Sequence, residues 1–393
     1  MGGGHYPAPS DASGAYDRHI CCGPSPLVGS RQSLWGGRCF VALPEQVVTL
    51  DERPGLRAFF FVATWSRLRN RASPRVEEAM QFPSLVRFWC VAGVACAVAF
   101  PAPSPGQDVE PPNIILMLVD DLGWTGTSVQ MDPNVPDSAS DYYQTPSLES
   151  LAARGMRFSD AYATPVCTPT RAAMQTGKSA AQLQMTDVTG AADLHGDRYV
   201  DFYTGRPLTP PIVREFLPRG EETIAERIRS STPAYKSGLF GKWHLNFENG
   251  PTPLSQGYNA ASAGLNSSLP ASENPNRIFS ITEQAIEFME NRVDEQTPFF
   301  LNINHLAPHT PWEARPETLA KYESLPPGER HTNPLYAAMI EDLDTGIGQV
   351  LDAVEQLGIA DNTYVIFASD NGPLGSARAS ESLPLYDFKG TVY

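Results

Sequence analysis

Cysteine is scarce in most of this 393-residue chain. Five of its six cysteines lie at or before residue 96, and Cys167 is the only one that follows. A lone cysteine excludes an internal disulfide within the long segment after residue 96. The chain also lacks any CxxC metal pair. Cys167 therefore needs another explanation.

Positive charge is also scarce. The formal net charge is −15, which argues against general nucleic-acid binding. Residues 1–106 contain ten arginines, no lysine and seven acidic residues, a balance of +3, so the remainder carries −18. This contrast separates an arginine-containing N-terminal part from an acidic body.

The N-terminal part lacks a sustained apolar period. Residues 1–79 are rich in Gly, Pro and Ser, which predicts a disordered tail or an extension that is not part of the natural protein. From Met80 the chain has one positive charge at Arg87, then a run of 13 apolar or small residues, then a Pro/Ala/Ser stretch. This layout predicts a signal peptide over residues 80–106, with translation starting at Met80. The run is too short for a usual membrane span, so we expect a secreted or periplasmic protein without a stable span.

Apolar runs alternate with amphipathic segments from Asn113 onwards. The runs "NIILMLV", "YKSGLFGKW", "PFFLNIN" and "TYVIFAS" predict strands, the first of them a buried parallel strand. The segments "TPSLESLAARG", "EETIAERIRS", "ITEQAIEFMENRV" and residues 334–357 predict helices. The alternation predicts one α/β domain over residues 110–393, a three-layer sandwich with a central, mostly parallel sheet.

Polar side chains follow the predicted strands, where ligands bind in such sheets. Asp120 and Asp121 follow "NIILMLV", and Asp370 and Asn371 follow "TYVIFAS". One such pair is more often a turn or a helix cap. Two pairs of oxygen ligands at two strand ends favour a site for a hard cation, calcium or magnesium.

Basic side chains follow two other strands. Lys242 and His244 lie on one face of the extended segment "GLFGKWHL", and His305 and His309 follow "FFLNIN". Each histidine alone is more often solvated or hydrogen-bonded than catalytic. Lys389 in "FKGTVY" adds a further cation.

Cys167 precedes a predicted helix, "TPTRAAMQTGK", with Pro169 in its first turn. A helix N-terminus suits an anion, and Arg171 lies about one turn further along. A buried structural cysteine is the plainer reading, but the threonine-rich surroundings count against it. A phosphate-binding loop at Lys178 fails because Ala172 occupies the required glycine position.

Taken together, these segments resemble the type I sulfatases of the alkaline-phosphatase superfamily. "CTPTR" matches the family signature Cys-x-Pro-x-Arg, and "NIILMLVDDLGW", "GKWHL", "APHTPW", "SDNGP" and "KGTVY" match in the family's order over residues 113–393. The resemblance implies an alkaline-phosphatase-like fold. It also implies that a formylglycine-generating enzyme converts Cys167 to formylglycine, whose hydrated aldehyde is the nucleophile.

The resemblance also implies roles for the other residues. Arg171 would stabilise the hydrated aldehyde, and His244 would assist its later breakdown. His309 would protonate the leaving oxygen, and it is preferred to His305 because "HTP" matches the family pattern. Sulfate oxygens would be held by Lys242 and Lys389. A divalent cation, Ca²⁺ in most family members and Mg²⁺ as an alternative, would be bound by Asp120, Asp121, Cys167, Asp370 and Asn371.

The implied activity is hydrolysis of aryl or carbohydrate sulfate monoesters, on a sulfated small molecule or polysaccharide. Two alternatives stay open: a phosphate or phosphonate ester hydrolase of the same superfamily, and a truncated, non-catalytic binding protein. Family members usually continue with "EGG" after "KGTVY", followed by more sheet and a small C-terminal subdomain. This departure predicts a catalytic domain that is incomplete at its C-terminus and lacks that subdomain.

Overall fold

The computed structural model describes residues 57–61, 110–189, 213–246, 250–262, 270–375, 385 and 388–391. The predicted signal peptide at 80–106 lies outside these residues. So does the predicted extension 1–79, apart from the backbone of 57–61.

A seven-stranded parallel sheet forms the centre of the described structure. Its spatial order is β3-β1-β7-β2-β6-β4-β5, and each pair of neighbouring strands runs parallel. This confirms the predicted α/β class and parallel sheet. The strands are β1 (Arg57–Phe61), β2 (Asn113–Val119), β3 (Met156–Phe158), β4 (Lys236–Gly241), β5 (Ala260–Ala261), β6 (Phe299–Asn304) and β7 (Thr363–Ser369).

The helices confirm the predicted segments and add others. Helix α4 begins with a capping box between Thr223 and Glu226, which satisfies two backbone N–H groups. Within the described part of the chain, no helix is both long and apolar enough to cross a membrane. The helices are α1 (Pro146–Ala153), α2 (Cys167–Thr176), α3 (Ala180–Leu183), α4 (Ile224–Ser231), α5 (Ile278–Asp294), α6 (Pro316–Ser324) and α7 (Pro334–Gln356).

The sheet is covered on both faces because alternate side chains of its central strands point to opposite sides. Ile115 and Met117 of β2 join an apolar core with α1, α5, α6 and α7. Leu116 of β2 joins a second core with α2, α3 and α4. Burying one such side chain contributes roughly 1.5–3 kcal/mol. Two separate cores, one on each face, confirm the three-layer arrangement.

Strand register brings the carboxyl ends of the central strands level with one another. Val119 of β2 pairs with Ser369 of β7, and Asn304 of β6 pairs with both Leu118 of β2 and Gly241 of β4. The residues that follow these strands therefore meet at one edge of the sheet. That edge holds the acidic and basic side chains noted in the sequence.

Candidate active site

The acidic residues after β2 and β7 interlock. The backbone N–H of Asp121 donates to Asp370 Oδ1 at 3.3 Å, and Asn371 Nδ2 donates to Asp121 Oδ1 at 2.7 Å. Asp120, Asp121, Asp370 and Asn371 are all buried. Asp121 has φ 68, a left-handed conformation that is unfavourable for a residue with a side chain and that clusters at functional sites.

Three buried oxygens of this group have no hydrogen-bond donor among the described residues: Asp120 Oδ1, Asp121 Oδ2 and Asn371 Oδ1. Leaving such atoms unpaired costs free energy, so they point to a ligand. In addition, one ligand atom each of Asp120, Cys167 and Asp370 lie within 4.8 Å of one another. Carboxylate and amide oxygens suit a hard cation such as Ca²⁺ or Mg²⁺. The residues present therefore fit a divalent cation.

Arg171 lies beneath this acidic group and is 2% exposed. Its Nε and Nη2 contact Asp370 Oδ2 at 2.9 and 2.8 Å, and Nη2 lies 3.9 Å from Asp120 Oδ1. Burial opposes ionisation of Asp120, but the charges of Arg171 and Lys242 outweigh it and lower the pKa of Asp120. Burial and repulsion by Asp120 raise the pKa of Asp370. Arg171 thus compensates part of the charge of the two carboxylates.

Cys167 is the first residue of α2, and its side chain is buried. Its Sγ lies 3.3 Å from His244 Nδ1, and the Thr168 hydroxyl donates to the His244 carbonyl at 3.2 Å. Burial raises the pKa of the Cys167 thiol. Burial and the nearby Lys242 and Arg171 lower the pKa of His244 to about 3. A neutral imidazole therefore faces residue 167 at neutral pH.

Two lysines close the group from different segments. Lys242 follows β4, and its ammonium donates to Asp120 Oδ2. Lys389 donates to Asp121 Oδ1 at 2.6 Å, and its backbone N–H donates to the Pro373 carbonyl at 2.8 Å. Their side chains are 15% and 13% exposed, so both border the group from the solvent side.

The two histidines after β6 occupy different environments. His309 Nε2 lies 3.7 Å from Asp121 Oδ2, and its side chain is 36% exposed. His305 is fully buried, and its Nε2 lies 3.1 Å from the Thr282 hydroxyl inside the core. The structure thus brings His309 to the acidic group and leaves His305 in the core.

The ten residues to which the sequence analysis gave site roles meet at this edge of the sheet, and those roles stay predictions. Sequence reasoning missed Gly241 and Asn304, which fix the approach of β4 to β6. The Lys242 N–H donates to the Asn304 carbonyl at 2.8 Å, and Asn304 Nδ2 donates to the Lys242 carbonyl at 2.8 Å. The available signal was the glycine immediately before "KWH". The resemblance also points, more weakly, to Ser267 after "QGY" as a further site residue, and this serine lies outside the described residues.

The site combines buried oxygens, a thiol beside a neutral imidazole, and the cationic side chains of Arg171, Lys242 and Lys389. This combination suits the transfer of an anionic group. The sulfatase family model matches residues 112–389, most of the chain. The chain belongs to the sulfatase family. This finding confirms the resemblance seen in the sequence.

Individual sulfatases are about one quarter identical to this chain over the aligned residues. Mouse N-acetylgalactosamine-6-sulfatase is 26% identical over 294 residues, covering 67% of this chain and 51% of its own length. A sulfatase of Formosa agariphila is 29% identical, covering 72% and 61%. The crystal structure of Ps i-CgsB is 26% identical with a TM-score of 0.54, covering 72% and 63%. The chain thus spans about half the length of the mouse relative.

Proposed function

We propose that this sulfatase-family chain hydrolyses sulfate monoesters, with a sulfated carbohydrate as the natural substrate class. The observation that carries the proposal is the convergence of Arg171, Lys242 and Lys389 on buried, partly unpaired oxygens beside Cys167. The carbohydrate assignment draws on the N-acetylgalactosamine-6-sulfatases among the relatives. Human arylsulfatase A, 26% identical, supports aryl sulfates as a second substrate class.

The proposed cation is Ca²⁺, with Mg²⁺ as the alternative, and its protein ligands are Asp120, Asp121, Asp370, Asn371 and the group at position 167. When bound, it neutralises negative charge on a transferring group. Lys242 and Lys389 have side chains that are slightly exposed to solvent beside the acidic group, so we assign them to the sulfate oxygens. Preorganised cations of this kind stabilise charge in a transition state without reorganising.

We further propose that Cys167 is converted to formylglycine by a formylglycine-generating enzyme. When hydrated, formylglycine supplies a geminal diol as the nucleophile. His244 is neutral and faces residue 167, so it is placed to accept a proton there. His309, the more exposed histidine, is placed to give a proton to the leaving alcohol oxygen. A positioned acid contributes about 10²–10⁴-fold to rate.

Tandem expression and mass spectrometry test this proposal. The chain is expressed with and without a formylglycine-generating enzyme. The mass of the tryptic peptide from Phe158 to Arg171 is then measured. We expect formylglycine at position 167 only with the enzyme, together with turnover of an aryl sulfate. Cys167→Ala is the control and should show neither.

An aryl phosphate assayed in parallel tests the alternatives. Faster turnover of the phosphate would favour a phosphate ester hydrolase. Unmodified Cys167 with substrate binding but no turnover of either ester would favour the non-catalytic binding protein.

A further inference from the structure

Asn276 links the turn before α5 to the loop that carries His309. Its side-chain Nδ2 donates to the His309 carbonyl and to the Pro311 carbonyl, both at 2.9 Å. Asn276 is 9% exposed and has φ 47, a left-handed conformation that asparagine tolerates better than most residues. Both hydrogens of one buried amide thus hold the peptide segment on either side of Thr310.

Thr310 in turn fixes the imidazole of His309. Nδ1 of His309 lies 2.7 Å from the Thr310 carbonyl oxygen. Because a carbonyl only accepts hydrogen bonds, Nδ1 must carry the hydrogen. Nε2, the nitrogen that lies 3.7 Å from Asp121 Oδ2, is then the ring nitrogen that faces the acidic group. The orientation of Nε2 therefore depends on where the Thr310 carbonyl lies.

We propose that Asn276 is a positioning residue for His309. It holds the Thr310 peptide so that Nδ1 stays engaged and Nε2 faces the reacting ester. This inference rests on the proposed function, in which His309 protonates the leaving oxygen. Asn276 itself touches no reacting atom.

The turn that carries Asn276 is anchored at both ends. The backbone N–H of Asn276 donates to Glu313 Oε2 at 2.8 Å. Asn274, two residues earlier, accepts at Oδ1 from the N–H groups of Phe279 and Ser280 at 3.0 and 3.2 Å. These bonds satisfy free N–H groups in the first turn of α5. Asn274 therefore fixes the turn to the helix, whereas Asn276 fixes the His309 loop to the turn.

The two asparagines give a matched pair of substitutions. Asn276→Asp replaces Nδ2, which donates both of its hydrogens, by one carboxylate oxygen that faces the two carbonyl oxygens, so both hydrogen bonds are lost. Asn274→Asp keeps the acceptor, loses the 2.9 Å bond from Nδ2 to the Ser280 hydroxyl, and adds a negative charge near a helix N-terminus, which is favourable. Both substitutions exchange one amide nitrogen for an oxygen and add one negative charge within the same turn. Only Asn276→Asp breaks the contact with the His309 loop.

Two sulfate esters separate positioning from general damage. The leaving group of an alkyl sulfate is an alkoxide, which needs a proton. The leaving group of 4-nitrophenyl sulfate is a stable phenolate, which does not. We expect Asn276→Asp to lower kcat for the alkyl sulfate about 10²-fold, the cost of misplacing a reacting group by about 1 Å. Turnover of 4-nitrophenyl sulfate should stay close to that of the unsubstituted chain. Asn274→Asp should match the unsubstituted chain on both esters.

A double variant checks that Asn276 acts through His309. Once His309→Gln has removed the acid, adding Asn276→Asp should cause no further loss on the alkyl sulfate, because the two residues act as one unit. Equal losses on both esters, wild-type rates on both, or additive losses in the double variant would overturn the proposal.

A spectroscopic readout separates this inference from the proposed function. The chain has seven histidines, so selective ¹⁵N labelling of the histidine rings gives a tractable spectrum. We expect His309 to be locked with hydrogen on Nδ1, and Asn276→Asp to release it to a mixture of tautomers. An unchanged tautomer would defeat the role of Asn276. Failure of the unsubstituted chain to hydrolyse either ester would defeat the proposed function instead.

Discussion

At the scale of single residues, environment decides what two histidines in one short motif do. His305 is fully buried, and burial lowers its pKa to about 4. His309, four positions later, lies against Asp121 with a third of its side chain exposed. The buried ring serves the core, and the exposed ring is available for proton transfer.

His305 should make stability depend on pH in a defined window. Its ordinary pKa is 6.5 and its folded value is about 4, so the unfolded chain binds more protons between these values. The free energy of unfolding should therefore fall as pH decreases from about 6.5 to about 4, by up to roughly 3 kcal/mol. Urea unfolding of the chain and of His305→Gln across this range measures the effect. Because other groups titrate in both proteins, only the difference between them reports on His305, and parallel curves would contradict the assignment.

The residues of the candidate site were largely predictable from the sequence. The residues that hold those side chains in position were not. Asp120 and Lys242 stand directly after apolar runs, and a parallel sheet brings such positions to one edge. Asn276 lies in "NPNR", where asparagine is expected in any turn. Its contact with His309 depends on how α5 packs, which no local pattern contains.

At the scale of elements, the close approach of β4 to β6 sets the position of Lys242 and His244. Gly241 has φ 102, and a Cβ placed there would lie 2.0 Å from the Asn304 carbonyl oxygen. Only glycine fits this backbone and this distance. The strand end is therefore shaped by contact between two backbones, not by side-chain packing.

Substitution of Gly241 should damage both stability and site. Gly241→Ala adds left-handed strain of about 1–2 kcal/mol and a clash that costs about 1–3 kcal/mol more. Gly358→Ala is the matched control, because Gly358 has φ 67 with open space around it and should show the strain alone. Denaturant unfolding and sulfate ester turnover are the measurements. Equal losses in the two variants would show that the β4–β6 contact is not the cause.

The elements that sequence predicted well are those buried on both faces. β2, β6 and β7 are mostly apolar, as expected for strands in the middle of a parallel sheet. β3 has three residues and α6 nine, and most of their side chains are at least partly exposed. Short, half-exposed elements carry little periodic signal, so neither was predicted.

At the scale of the whole molecule, the chain has a net charge of −15, yet three basic side chains lie together at the candidate active site. Arg171, Lys242 and Lys389 each contact a carboxylate of the site, although they come from distant parts of the sequence. Long-range repulsion of an anionic substrate is thus countered locally. The proposed cation would add to the same local field.

Binding of Ca²⁺ should stabilise the folded chain, because its ligands come together only on folding. At 100 times its dissociation constant, a ligand that binds only the folded state contributes about 2.7 kcal/mol. We expect Tm to rise by about 3–5 °C on adding Ca²⁺ to chelator-treated protein. Asn371→Ala should reduce the rise, and Asp352→Asn, on the exposed side of α7, should keep it. An equal rise in both variants would place the cation elsewhere.

The attachment of Lys389 also has a consequence in time. Its ammonium reaches Asp121 from 268 positions further along the chain, and the next N–H, that of Gly390, donates to the Pro165 carbonyl at 2.8 Å. During translation, Asp120 and Asp121 are synthesised long before Lys389. The carboxylates of Asp120 and Asp121 therefore lack the neutralising ammonium of Lys389 while more than 200 further residues are synthesised. This pocket can therefore be completed only after Lys389 has been synthesised, 268 positions after Asp121.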